Sequence, residues 1–133
     1  MPVSPSTDAA VRPPTLRTAG VHHVSINVKD VGEAIRFYTE VLGLPLRTDR
    51  PDFAFGGAWI DVGDQQLHLI EGEVPEARGQ HFAFAVEDLD AAVAGLRVAG
   101  IEITDPRPVG PRRQSFFSDP AGNYLELLEV GSG

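Results

Sequence analysis

The sequence contains no cysteine. That removes disulfide bridges, thiolate nucleophiles and cysteine-built zinc sites, and it permits a reducing, cytoplasmic setting. Any metal must then be held by imidazole and carboxylate, which suit Zn, Ni, Fe or Mn better than Cu(I). Positive charge is also scarce: 11 Lys and Arg stand against 19 Asp and Glu, a formal net charge of −8. Nucleic-acid binding needs clustered cations to neutralise phosphates, so this balance argues against such a partner. No apolar run is long enough to cross a bilayer as a helix, so no membrane partner is expected either. What remains is an ordinary hydrophobic fraction, 42% over 133 residues, enough for one core or two small modules sharing one.

Residues 1–20 are expected to form a tail that is disordered or partner-bound. Pro2, Pro5, Pro13 and Pro14 fall in this stretch and large apolar residues are few,. It lacks the apolar segment of a signal peptide.

From residue 21 to 130 the chain repeats itself, and a repeat organises everything else. HHVSINVKDVGEAI, from His22, aligns with QHFAFAVEDLDAAV, from Gln80. His23 falls on His81, Val28 on Val86 and Asp30 on Asp88, an offset of 58 residues. The offset returns at the other end of each half, where DVGDQQLHLIE aligns with DPAGNYLELLE. Asp61 falls on Asp119, Leu67 on Leu125, Leu69 on Leu127 and His68 on Glu126. The pattern predicts an α+β domain of two tandem βαβββ modules, 21–77 and 78–130.

Each half supports that reading locally. Val24, Ile26 and Val28 alternate with His23, Ser25 and Asn27, the period-two signature of a half-buried strand. Asp30 and Asp88 are the expected N-caps, and Gly43 and Gly100 the expected helix stops. Strands are expected at 44–48, 53–63 and 65–71 in the first half, and at 102–104, 114–118 and 124–130 in the second. Turn chemistry stands at Gly63-Asp64 and at Asp119-Pro120-Ala121-Gly122-Asn123.

Alternation also sets which side chains turn away from the helices. His23, His68, His81 and Glu126 all fall on the far face of the sheet. Each is the one strong ligand type at mid-strand, and Ser25, Ala83 and Ala85 leave space beside them. A lone strand histidine is more often a hydrogen-bonded structural residue than a ligand. Two position-matched pairs on one face make a natural divalent-metal site. His22, with non-ligand Gln80 as its counterpart, is left outside the set. Trp59 and Phe55 are read as core residues rather than cup lining, and Arg112 and Arg113 as solvated.

HHVSINVKDVGEAIRFYTEVLGL and FFSDPAGNYLELLE resemble the two ends of the vicinal oxygen chelate superfamily. It includes glyoxalase I, methylmalonyl-CoA epimerase, extradiol dioxygenases and the fosfomycin and bleomycin resistance proteins. The resemblance covers about residues 21–130, and it implies that the two modules form a cup-shaped mixed sheet with the helices outside. It implies one divalent metal per site, held by His23, His68, His81 and Glu126, a small-molecule substrate and a homodimer. By resemblance the activity is that of a glyoxalase-I-like lyase or isomerase acting through a metal-stabilised enediolate, with Glu126 and His68 as catalytic residues. His68 stands where typical glyoxalases place Glu, so its role stays open between ligand and acid/base. A small extradiol-type dioxygenase is the alternative, although Phe116 and Phe117 stand where its active-site tyrosine is expected. A fosfomycin- or bleomycin-type resistance or ligand-binding protein is the other.

Overall fold

The computed structural model describes residues 15–131. Of the predicted tail, residues 15–20 are exposed and outside any helix or strand; the rest lies outside the described residues. Helices and mixed sheets are assembled as an α+β domain. β1 (His23–Val28) leads into α1 (Val31–Arg36), which widens into a π-helical turn at Phe37–Val41. The hairpin of β2 (Gly57–Val62) and β3 (Gln65–Glu71) follows. The second half runs β4 (Phe82–Val86), α2 (Leu89–Val98), β5 (Arg107–Val109), β6 (Arg112–Ser118) and β7 (Tyr124–Glu129). The strands form two sheets, ordered β1-β3-β2 and β4-β7-β6-β5.

The caps expected from sequence are in place. Asp30 Oδ1 accepts from the Glu33 N–H and Asp88 Oδ1 from the Ala91 N–H, both at 3.0 Å. Each cap satisfies a donor that the first helical turn leaves unpaired. Gly43 and Gly100 close the helical stretches at φ of 79° and 86°, a conformation costly for residues with a Cβ.

The duplication is visible in the strand pairing. β1 lies parallel to β3, with His68 opposite Ser25; β4 lies parallel to β7, with Glu126 opposite Ala83. On the other side of each, β2 places Trp59 opposite His68 and β6 places Phe116 opposite Glu126. The two halves differ at one turn. Asp61 pairs with Gln66, whereas Ser118 pairs with Tyr124. The second hairpin therefore has one more residue in its turn, and Ser118, not Asp119, is the structural counterpart of Asp61.

Some expected strands shrink. Residues 44–48 and 102–104 make only single bridges, Leu46 to Ile60 and Ile103 to Phe117. Pro45 has no N–H to contribute to a ladder, and Pro106 limits the second segment in the same way. β2 begins at Gly57, four residues later than expected, because residues 49–56 form a loop. β5 escaped the pattern because Arg107, Pro108 and Val109 are all exposed and show no inward-outward alternation.

One core joins the halves. Val28, Phe37, Tyr38, Ile60, Leu67 and Leu69 from the first pack with Phe84, Leu89, Phe117, Leu125 and Leu127 from the second. The widened turn buries the adjacent Phe37 and Tyr38 together, at 5% and 0% exposure. Tyr38 Oη donates to Asp119 Oδ2 at 2.7 Å across the seam. Burial, reinforced by the Asp119 charge, pushes the Tyr38 phenol far above its usual value of 10.0.

A raised phenol pKa means that the folded state holds the proton more tightly than the unfolded one. Its stabilising share is complete below pH 10 and is lost as pH rises beyond it, at about 1.4 kcal/mol per pH unit. Tyr38→Phe is expected to cost about 1–3 kcal/mol at neutral pH. Its stability should fall less steeply than wild type above pH 10. Chemical denaturation from pH 8 to 11 checks this, and a gap between the two proteins that stays constant with pH would contradict it.

Candidate metal centre

The face of each sheet turned away from the helices carries the candidate ligands, in two pairs. In the first sheet the His23 and His68 rings stack with centroids 3.9 Å apart and planes 14° apart. Trp59 covers the His68 ring from the neighbouring strand, at 4.5 Å and 10°. Gln66, two residues away on the same face of β3, places Oε1 2.8 Å from His68 Nε2. His22 and His23 bring their Nδ1 atoms to 2.9 Å, so one ring donates and the other accepts,. Burial, with the neighbouring charges of His23, His22, Arg47 and Arg50, holds the His68 pKa below its usual value. The shift favours the neutral imidazole, the form that ligates a metal or accepts a proton.

In the second sheet, His81 Nε2 lies 2.9 Å from Glu126 Oε1. His81 Nδ1–H donates to the Gly79 carbonyl at 2.8 Å, which leaves Nε2 as the nitrogen directed at Glu126. An imidazole with one N–H tied to a backbone carbonyl is the usual posture of a metal-ligating histidine. The Gly79 carbonyl and the Glu126 carboxylate raise the His81 pKa. Glu126 itself is 8% exposed. Phe116 and Tyr124 stack on each other at 5.1 Å and 2°, and both meet the His81 ring edge-on at 5.5 and 5.7 Å.

The donor set fits a divalent ion. Imidazole nitrogen and carboxylate oxygen are both usual ligands of such an ion, and His81 Nε2 and Glu126 Oε1 lie at hydrogen-bond distance, 2.9 Å,. The two pairs do not meet within one chain. Among the described residues no group of three or more His, Asp or Glu is close enough to hold an ion. A cavity of about 230 Å³ separates β1 from β4. His81 and Tyr124 line it with Val24 and Ser25, and neither His23 nor His68 reaches it.

Several residues differ from expectation. His22, left out as a strand-entry residue, sits against His23. Gln66 was legible in principle, because it lies two residues before His68 and shares its face. Trp59 is only half-buried and stacks on His68, and Phe55 is 46% exposed, so neither belongs to the core. Arg113 is not merely solvated: it is held by Asp90 and Glu129.

The glyoxalase/bleomycin resistance protein/dioxygenase superfamily model matches residues 20–127. The chain belongs to this superfamily. It is 34% identical over 122 residues to "Uncharacterized protein YaeR" of Escherichia coli (strain K12), covering 82% of this chain and 95% of that protein. It is 30% identical over 121 residues to a "Probable lactoylglutathione lyase" of Vibrio cholerae, covering 80% and 88%. Among solved structures it is similar to TnmS3, an antibiotic binding protein from Streptomyces sp. CB03234. The TM-score is 0.74 at 28% identity, covering 86% of this chain and 98% of that one.

Proposed function

We propose that this protein is a divalent-metal-dependent enzyme of the glyoxalase-I-like lyase or isomerase type. Its site would be completed between two copies. His23 and His68 of one chain would meet His81 and Glu126 of the other, giving two equivalent centres in a symmetric dimer. The observation that carries this reading is the His81–Glu126 pair, 2.9 Å apart with the far imidazole nitrogen anchored on Gly79. Its position-matched partner pair sits on a separate sheet. The edge strands β1 and β4 expose Ser25, Ala83 and Ala85, and uncovered sheet edges invite pairing.

A divalent ion held there supplies Lewis-acid stabilisation of negative charge on a substrate oxygen. The chain's own residues supply the rest. Glu126 is the one carboxylate of the four and the candidate proton acceptor. His68 is positioned by Gln66 and Trp59. Phe116 and Tyr124 limit water at the second pair. Tyr124 also favours a second reading. Its ring meets that of His81 edge-on at 5.7 Å, and it carries the phenol hydroxyl that a dioxygenase-type site would use and that Phe116 and Phe117 lack.

Mixed dimers test the shared site. His23→Ala and His81→Ala are each expected to abolish metal binding alone. A dimer combining one chain of each leaves one centre with an intact pair from both chains, so about half the wild-type metal content should return. Metal analysis of co-expressed, separately tagged chains reads this out, and a mixed dimer without metal would place the site within one chain.

His68→Gln separates the two chemistries. As a ligand, His68 leaves weaker metal binding and a measurable isomerase rate when replaced, with Glu126→Gln far more damaging. As an acid/base in an oxygenase, its loss leaves the metal bound and slows turnover by about 10²–10⁴-fold. Metal content and turnover of this variant, with methylglyoxal–glutathione and catechol as substrates, decide between them.

A further inference from the structure

The loop of residues 49–56 leads into β2 and carries three large side chains on its way. Phe53 and Phe55 stack with ring centroids 5.1 Å apart and planes 7° apart, yet they remain 40% and 46% exposed. Phe53 also approaches Trp59, at 6.2 Å, and Trp59 lies on His68. A run of ring faces therefore extends from His23 and His68 out to Phe55.

Arg50 stands over this run. Its Cζ is 4.8 Å from the Phe53 ring centroid and 5.5 Å from that of Phe55. Nη2 donates to the Phe55 carbonyl at 3.0 Å, which orients the guanidinium. Arg47, three residues earlier, is held by Asp49 and Asp61. Arg50 forms no ion pair among the described residues, in a chain with 19 acidic side chains. Gly57 makes room for it, since a Cβ there would lie 3.0 Å from Arg50 Nη2 and collide with the Leu69 carbonyl.

Arg50, Phe53, Phe55, Trp59 and His68 line a cavity of about 120 Å³. Sites for drug-sized ligands enclose about 300–1,000 Å³, so this one suits a single ring. Its aromatic walls favour a flat body. Its cation has donors left over and matches a carboxylate in a planar, forked geometry. We propose that this cavity is a subsite for a one-ring aryl carboxylate, placed so that the substrate's far end lies beside His68. Its place next to a reaction centre rests on the proposed metal-dependent function; its binding of the carboxylate does not.

Calorimetry with 4-methylbenzoate tests the subsite, on protein as purified and on protein treated with chelator, so that binding to a metal is separated from binding to Arg50. Trp59, the one tryptophan in the chain, reports occupancy by its fluorescence. 4-Methylbenzoate is expected to bind both preparations and to change Trp59 emission. Cyclohexanecarboxylate, which lacks the flat ring, should bind about 2- to 10-fold more weakly, and 4-methylbenzyl alcohol, which lacks the charge, at least about tenfold more weakly. Arg50→Gln should weaken 4-methylbenzoate by about 10- to 100-fold and leave the alcohol unchanged, which also shows that the cavity is still folded. Replacing Phe53 and Phe55 together by Leu should erase the preference for the aryl ring over cyclohexyl. Equal affinity for all three probes, or 4-methylbenzoate binding indifferent to Arg50→Gln, overturns the proposal. So does a Phe53/Phe55 variant that changes self-association and not ligand binding, since a second copy would then cover these rings. If the metal-binding variants behave as wild type while the Arg50 dependence persists, the proposed function fails and the subsite stands.

Discussion

The Asp119 carboxylate holds the two halves of the molecule in place. Oδ1 accepts from the Ala121 and Asn123 N–H groups. Oδ2 accepts from Tyr38 Oη and from Asn123 Nδ2, and Asn123 Nδ2 also donates to the Asn27 carbonyl. A carboxylate 4% exposed is tolerated in the seam because its oxygens are satisfied in this way. The turn that carries it is thereby fixed to the π-helical turn and the end of β1. With the helical side of the first half committed to the second half, the far faces of both sheets remain open to whatever the site binds.

That geometry explains why much of the fold was legible in the sequence. Strand alternation is dictated by the single buried core, so His23, His68, His81 and Glu126 could be assigned to the far faces from the spacing of Val24, Ile26, Leu67, Leu69, Phe82, Phe84, Leu125 and Leu127. The aspartate caps and glycine stops act within one turn of chain and were equally readable. Asp119 was less so. A constant offset equates it with Asp61, and only the strand register reveals the extra turn residue that frees it to bond Tyr38. β5 and the loop at 49–56 were hidden for the opposite reason: their side chains are exposed, so burial leaves no period to read.

The candidate site was legible as a set of residues but not as an arrangement. Face and position say which side chains share a side of a sheet. They do not say that the chain packs its halves so that the two pairs stay apart. How the halves pack rests on contacts between distant parts of the chain, such as the Tyr38–Asp119 bond, whose partners are 81 residues apart in sequence. Side-chain neighbours such as His22 against His23 depend on ring orientation, which no pattern of hydrophobicity encodes.

Duplication and divergence meet in two matched rows. Across the first sheet run Ser25, His68 and Trp59; across the second run Ala83, Glu126 and Phe116. Each is a small residue, a candidate ligand and an aromatic ring. The small residue leaves space on one side of the ligand, and the ring excludes water on the other. The middle residue has diverged, and the electrostatics diverge with it. Burial, with its histidine and arginine neighbours, pushes the His68 pKa down, whereas the Gly79 carbonyl, together with the second sheet's Glu126, pushes that of His81 up. An imidazole–imidazole pair and an imidazole–carboxylate pair are unlike halves. Brought together they would offer three nitrogen donors and one charged oxygen, a set that neither half can supply by pairing with its own kind.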